Sequence, residues 1–137
     1  MSLIDTNVLS EIRHPRGSAR VKGAFLALEN DLSLSVIVLG EIRYGTKIAR
    51  DAAKRADLLN WYAALRTNFG HRILPVTTEV AEAWGDLTAR LRDARRRIEV
   101  ADGLIAATAL VHDLTLWTRN TQDFHGTGVR LFNPWED

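Results

Sequence analysis

Cysteine is absent from the 137 residues, which removes disulfides, thiolate nucleophiles and Cys-ligated zinc from consideration and fits a reducing, cytoplasmic setting. Net charge is nearly absent too. Eighteen Lys and Arg stand against seventeen Asp and Glu, a formal +1, so no global field draws in a polyanion and any nucleic acid has to be held by local contacts. No long hydrophobic run occurs: the most apolar stretch, Val100 to Leu116, contains Asp102, His112 and Asp113. Nor does the start place a basic segment ahead of an apolar one. Neither a membrane span nor a signal peptide is therefore expected. Without a Gly/Ser linker, repeat or low-complexity tract, and with 46% hydrophobic content, the chain is expected to form a single domain over 1–137.

What is present is an alternation of short apolar runs and helical stripes. Leu3-Ile4 reads as a very short buried strand turning at Asp5-Thr6-Asn7 into a helix over Val8 to Ile12, broken at His14-Pro15-Arg16-Gly17. Val21, Phe25 and Leu28 recur at helical spacing, Leu32 to Val36 reads as a second strand, and Val38 to Ile48 as a helix carrying Glu41. A long stripe follows from Ala52 to Phe69. Arg72 to Val76 reads as a third strand, kept short or at an edge by Pro75. Thr78 is expected to cap a helix with the stripe Val80, Trp84, Leu87 and Leu91, and an Ala-rich helix runs over Ala101 to Val111. Leu114 to Thr118 and Val129 to Phe132 complete the strands. Strands alternating with helices predict an α/β fold whose mostly parallel sheet is covered on both faces.

Four acids sit beside apolar segments: Asp5, Glu41, Asp102 and Asp123. Ligand crevices in parallel sheets lie at the carboxyl ends of strands, where Asp5 and the Thr118-to-Asp123 segment are expected, with Glu41 one to two turns into a following helix. If the four meet, their repulsion raises their pKa values unless a cation neutralises them, and oxygen-only ligation favours Mg²⁺ or Mn²⁺ over zinc. Such an ion can acidify water and stabilise charge on a phosphate ester; one ion or two both remain open. Thr6, Asn7, Thr118 and Asn120 are suitable donors to orient the carboxylates, and Arg13, Arg43 and Arg119 can contact backbone phosphates. Each acid also has an ordinary reading. Asp5 and Asp102 fit helix caps, Glu41 a solvated helix face, and Asp123 an Asx turn.

The segments LIDTNVLSE at 3–11, SVIVLGEIRYG at 35–45, DGLIAATA at 102–109 and LWTRNTQDF at 116–124 closely resemble the PIN-domain VapC toxins, within a FitB-like subgroup. The four motifs occur in family order and span essentially the whole chain. The resemblance implies a three-layer α/β/α domain and a Mg²⁺- or Mn²⁺-dependent endoribonuclease, usually the toxin of a type II toxin–antitoxin pair. Its catalytic and metal-binding acids map onto Asp5, Glu41, Asp102 and Asp123, with Thr118 and Asn120 at supporting positions. It also implies hydrolysis of RNA to a 5′-phosphate and a 3′-hydroxyl, a homodimer, and a VapB-like antitoxin that fills a hydrophobic groove. Operator DNA is contacted only through that antitoxin.

Other features are secondary. Arg95-Arg96-Arg97 precedes Asp102 and fits a solvated helix end better than an RNA grip, and Glu99 is expected to be exposed. Trp84 and Trp117 fall in patterns of core burial, Trp61 and Tyr62 suit an antitoxin groove, and Trp135 can clamp the tail or a dimer contact. His14, His71, His112 and His125 form no metal-ligand spacing. Two rival functions use the same residues differently: a PIN nuclease of RNA processing or decay without an antitoxin, and a noncatalytic protein that carries a DNA-binding partner.

Overall fold

The computed structural model describes residues 1–136, and the last residue of the expected domain, Asp137, lies outside the described residues. Each pair of strands is bridged by two helices until the last. β1 (Ser2–Ile4) leads into α1 (Thr6–Arg13) and α2 (Ala19–Leu28), and β2 (Leu32–Ser35) into α3 (Val36–Ile48) and α4 (Ala52–Phe69). Next come β3 (Ile73–Leu74), α5 (Thr78–Asp93), α6 (Val100–Val111) and β4 (Thr115–Trp117). A 3-10 turn at Thr121–Phe124 precedes β5 (Leu131–Phe132).

The strands form one sheet in the order β3-β2-β1-β4-β5, and each pairing is parallel. Crossovers of one hand then send the helices to opposite faces as the chain moves first to one side of β1 and later to the other, giving three α/β/α layers. Burial agrees with two covered faces: all four residues of β2 are buried, where a half-exposed strand would alternate. Leu3, Ile4, Leu32, Leu34 and Leu116 from the inner strands pack with Val8, Val38, Leu87 and Ile105 from the helices.

Several boundaries depart from the sequence pattern for identifiable reasons. Val36 opens α3 instead of ending β2, because the Ser35 hydroxyl accepts from the Ile37 N–H at 3.0 Å and caps the helix there. β3 shrinks to two residues ahead of Pro75. The cap of α5 is Thr77, whose hydroxyl accepts from the Val80 N–H at 3.2 Å, and Thr78 is already helical. α6 begins at Val100, with Glu99 in the cap position making no side-chain cap bond; Asp102 lies within the first turn and is not a cap. Trp117 is buried as expected, whereas Trp84 is only partly buried at the edge of the core.

Candidate active site

The chain reverses direction across the sheet at β1. Its neighbour on one side is β2 and on the other β4, which arrives much later in sequence, and such a switch point opens a crevice at the carboxyl edge. The register pairs Ile4 with Trp117, and the Asp5 N–H continues the ladder to the Trp117 carbonyl at 3.0 Å. Asp5 and Thr118 thereby leave adjacent strand ends together. α3 starts at the same edge because it follows β2. α6 starts there because a helix that leads back into a parallel strand must run against the strands, which places its first turn, and Asp102, over their carboxyl ends.

The result is an open cleft of about 540 Å³ lined by Asp5, Glu41, Asp102 and Asp123, together with Thr6, Asn7, Arg119 and Asn120. Its floor is hydrogen-bonded. The buried Thr118 hydroxyl donates to Asp5 Oδ2 at 2.9 Å, and the Thr6 N–H donates to Asp5 Oδ1 at 2.8 Å, so Asp5 caps α1 while facing the cleft. Asn7 Nδ2 approaches Asp5 Oδ2 at 3.4 Å and Thr118 Oγ1 at 3.3 Å. The Thr6 hydroxyl donates to Glu41 Oε1 at 2.8 Å. The Asn120 N–H donates to Thr118 Oγ1 at 3.1 Å, and the Arg119 N–H to Asn7 Oδ1 at 3.3 Å. Three elements remote in sequence are thus tied into one polar layer.

The carboxylates pay for that proximity. Burial pushes the Asp5 pKa up, with the charge of Asp123 adding to it and the hydrogen bonds from Thr118 and Thr6 opposing. Glu41 is raised by desolvation and by the charge of Asp5, against the Thr6 hydroxyl. Asp102 is pushed up to about 6, first by desolvation and then by the charges of Asp5, Asp123, Glu41 and Glu99. Among the described residues, none of these four acids is joined to a cation by an ion pair such as that of Arg130 with Asp113. An all-oxygen set that repels itself in this way has the chemistry of a Mg²⁺ or Mn²⁺ site. Among the described residues, however, no three Asp, Glu or His side chains are clustered tightly enough to form a finished cage. The carboxylates face one space without sharing one coordination sphere.

The arginines divide. Arg119 lines the cleft with its guanidinium 5.1 Å from the centre of the Trp135 ring, which places Trp135 at the cleft wall. Arg13 lies over Trp61 at 5.4 Å and Arg43 over Tyr62 at 5.3 Å. These two stack on α4 and do not line the acidic cleft. Arg43 and Tyr62 instead border a shallow hollow with Leu59, Ala63, Arg66 and Thr67. Ser10, Glu11 and His14 also line the cleft and were not singled out as site residues by the sequence; the signal was there, since Asn7, Ser10, Glu11 and His14 fall at three- and four-residue intervals on one face of a helix. Asp123 is exposed in the 3-10 turn, and its side chain forms no Asx turn.

Comparison with known proteins agrees with this architecture. Residues 2–128 match the PIN domain. Toxin FitB of Neisseria gonorrhoeae is 37% identical, with all of both chains covered. VapC ribonuclease Y4jK of Sinorhizobium fredii is 32% identical, with 99% of each chain covered. The crystal structure of FitAcB from Neisseria gonorrhoeae superposes with a TM-score of 0.94 at 35% identity over the whole of both chains.

Proposed function

The chain belongs to the PIN-domain family, close to its FitB and VapC toxins, and from that premise we propose that it is the toxin of a type II toxin–antitoxin pair, an endoribonuclease that hydrolyses RNA phosphodiester bonds. The observation that carries the reading is the convergence of four carboxylates, with no ion pair among the described residues, on one open cleft at the sheet's reversal point.

Asp5, Glu41, Asp102 and Asp123 are the residues that would hold Mg²⁺ or Mn²⁺, drawing together around the ion from the open arrangement they have without it. When bound, the dication supplies charge neutralisation to the phosphodiester and lowers the pKa of water. The chain's own residues perform the rest. Thr118, Asn7 and the Thr6 N–H fix the Asp5 carboxylate at the cleft floor, and the Thr6 hydroxyl holds one oxygen of Glu41 and leaves the other without a hydrogen bond among the described residues. Arg119, steered by Trp135, contacts phosphate at the wall. Water adds to phosphorus, the bond to the 3′-oxygen breaks, and the departing 3′-oxygen takes a proton from solvent water, giving a 3′-hydroxyl and a 5′-phosphate. A carboxylate takes the proton lost by the water, and no histidine is required for that task.

Residues 1–137 act as one PIN domain in this reading, as a homodimer restrained by a VapB-like antitoxin that also supplies any contact with operator DNA. Exposed apolar side chains support a partner: Tyr44 and Ile48 stand 67% and 58% exposed on α3, and Tyr44 borders an apolar hollow with Val36, Ile37 and Gly40. No helix among the described residues is long and apolar enough to cross a membrane. The test is brief expression of wild type and D5N followed by mapping of RNA ends. Wild type is expected to generate new 5′-phosphate ends and D5N none, with the fold of D5N intact by circular dichroism. Equal turnover by well-folded D5N removes Asp5 from the mechanism.

A further inference from the structure

The acidic cleft does not end at Asp102 and Asp123. Both residues also line a second cavity of about 580 Å³, whose walls include Arg96, Arg97, Gln122 and His125. The two spaces share the acids, so they form one trough: Arg119 at one end, the carboxylates in the middle and a pair of arginines at the other. Arg96 and Arg97 make no ion pair or hydrogen bond through their guanidinium groups among the described residues. Unpaired arginines beside Glu99, Asp102 and Asp123 are cations left uncommitted although carboxylates are close by.

The backbone holds Arg96 in that place. α5 ends with Arg95 at φ 60°, while the Arg95 N–H bonds to the Arg92 carbonyl at 2.9 Å and the Arg96 N–H to the Leu91 carbonyl at 2.8 Å. This is a Schellman ending in which an arginine occupies the left-handed position usually given to glycine. Next to this ending Gly126 has φ +81°, and a Cβ there would lie 3.0 Å from Arg96 Nη1 and 3.1 Å from Leu91 Cδ2. The Arg96 guanidinium therefore lies directly against the Gly126 backbone.

We propose that Arg96 and Arg97 form a second phosphate-binding subsite for single-stranded RNA, gripping the backbone of the substrate beyond the scissile phosphodiester. The inference rests on the nuclease reading above. RNA entering an acid-lined trough is repelled on the way to the reacting centre, and two arginines past that centre offset the repulsion and hold the strand in line. The subsite takes phosphate without reading bases.

The probe is a synthetic single-stranded RNA carrying the cleavage site mapped in vivo, with two versions cut back to one nucleotide on either side of the scissile bond. For R96Q/R97Q, KM for the full RNA is expected to rise about tenfold with kcat within about twofold, and the slope of log(kcat/KM) against log salt to become shallower by about 1.4, the value for two lost single-strand phosphate contacts. On one shortened RNA, the one lacking the phosphate that reaches the arginines, wild type and variant converge. R96K/R97K keeps most of the salt slope. Wild type that cleaves none of the RNAs overturns the nuclease reading and this subsite with it. Wild-type cleavage with unchanged KM and salt slope in R96Q/R97Q overturns the subsite alone. So does an equal penalty on both shortened RNAs, or unchanged cleavage with loss of antitoxin inhibition, which would make the arginines a protein contact.

Discussion

Asp102→Asn tests the electrostatics of the cleft before RNA is involved. The Asp102 carboxyl rises from its ordinary 3.8 to about 6 through desolvation and four neighbouring charges. Because the folded pKa exceeds the unfolded one, the folded state binds this proton more tightly. Ionised Asp102 therefore costs stability above about pH 6, and the cost fades as pH falls toward 3.8. Converted in full, that gap is ~3 kcal/mol. Asp102 is partly exposed, so solvent screening reduces the usable figure to about 1–1.5 kcal/mol. For a chain of this size about 1 kcal/mol moves Tm by roughly 3–4 °C. D102N is thus expected to melt about 4–5 °C above wild type near neutral pH in EDTA, with the difference vanishing at acid pH. Asparagine sacrifices no hydrogen bond, since the Asp102 carboxylate accepts none among the described residues. Thermal melts across the pH range, repeated with Mg²⁺ or Mn²⁺, are the assay; the metal should stabilise wild type more than D102N, and RNA cleavage by D102N should fall. A Tm difference independent of pH, or a D102N no more stable than wild type at neutral pH, refutes the repulsion argument.

Thr118→Val removes the donor to Asp5 Oδ2 and the acceptor of the Asn120 N–H at nearly constant shape; a stability loss of ~2 kcal/mol by urea titration is expected, the scale of a hydrogen bond to a charged group, with a further rise of the Asp5 pKa and slower cleavage. An unchanged midpoint would show that the bond contributes nothing net. Gly103→Ala places a Cβ 2.9 Å from Trp84 Cδ1 and Nε1, and the rigid indole must move; overpacking of this kind costs about 1–3 kcal/mol, and changed Trp fluorescence together with reduced cleavage would report the shift of the neighbouring Asp102.

The parts of this fold that were legible in the sequence are those decided locally. α4 spans Ala52–Phe69 as its stripe requires, and the short apolar runs at Leu3-Ile4 and Leu114 to Thr118 became β1 and β4. Caps were less legible where two candidates stand side by side: Thr77 and Thr78 are chemically alike, and only backbone geometry selects the first. The four acids could be named as candidates, but their meeting depends on strand order and on α6 running against the sheet, neither of which is written in spacing. The cross-element stacking of Arg13 on Trp61 and Arg43 on Tyr62, and the seat of Trp84 on Gly103, are tertiary approaches with no local signature. Asp5 had two competing readings, cap and site residue; it caps α1 through the Thr6 N–H and also lines the acidic cleft.

The hydrogen bond between Asp5 and Thr118 joins positions 113 apart, and it bears on the moment at which such a protein becomes dangerous to its host. A nascent polypeptide that has not yet delivered β4 offers β1 nothing to pair with on that side, and it lacks Thr118 to aim Asp5 and Asp123 to complete the acidic set. On the reading proposed above, a chain halted before the fourth strand is expected to lack an assembled cleft and to leave RNA intact.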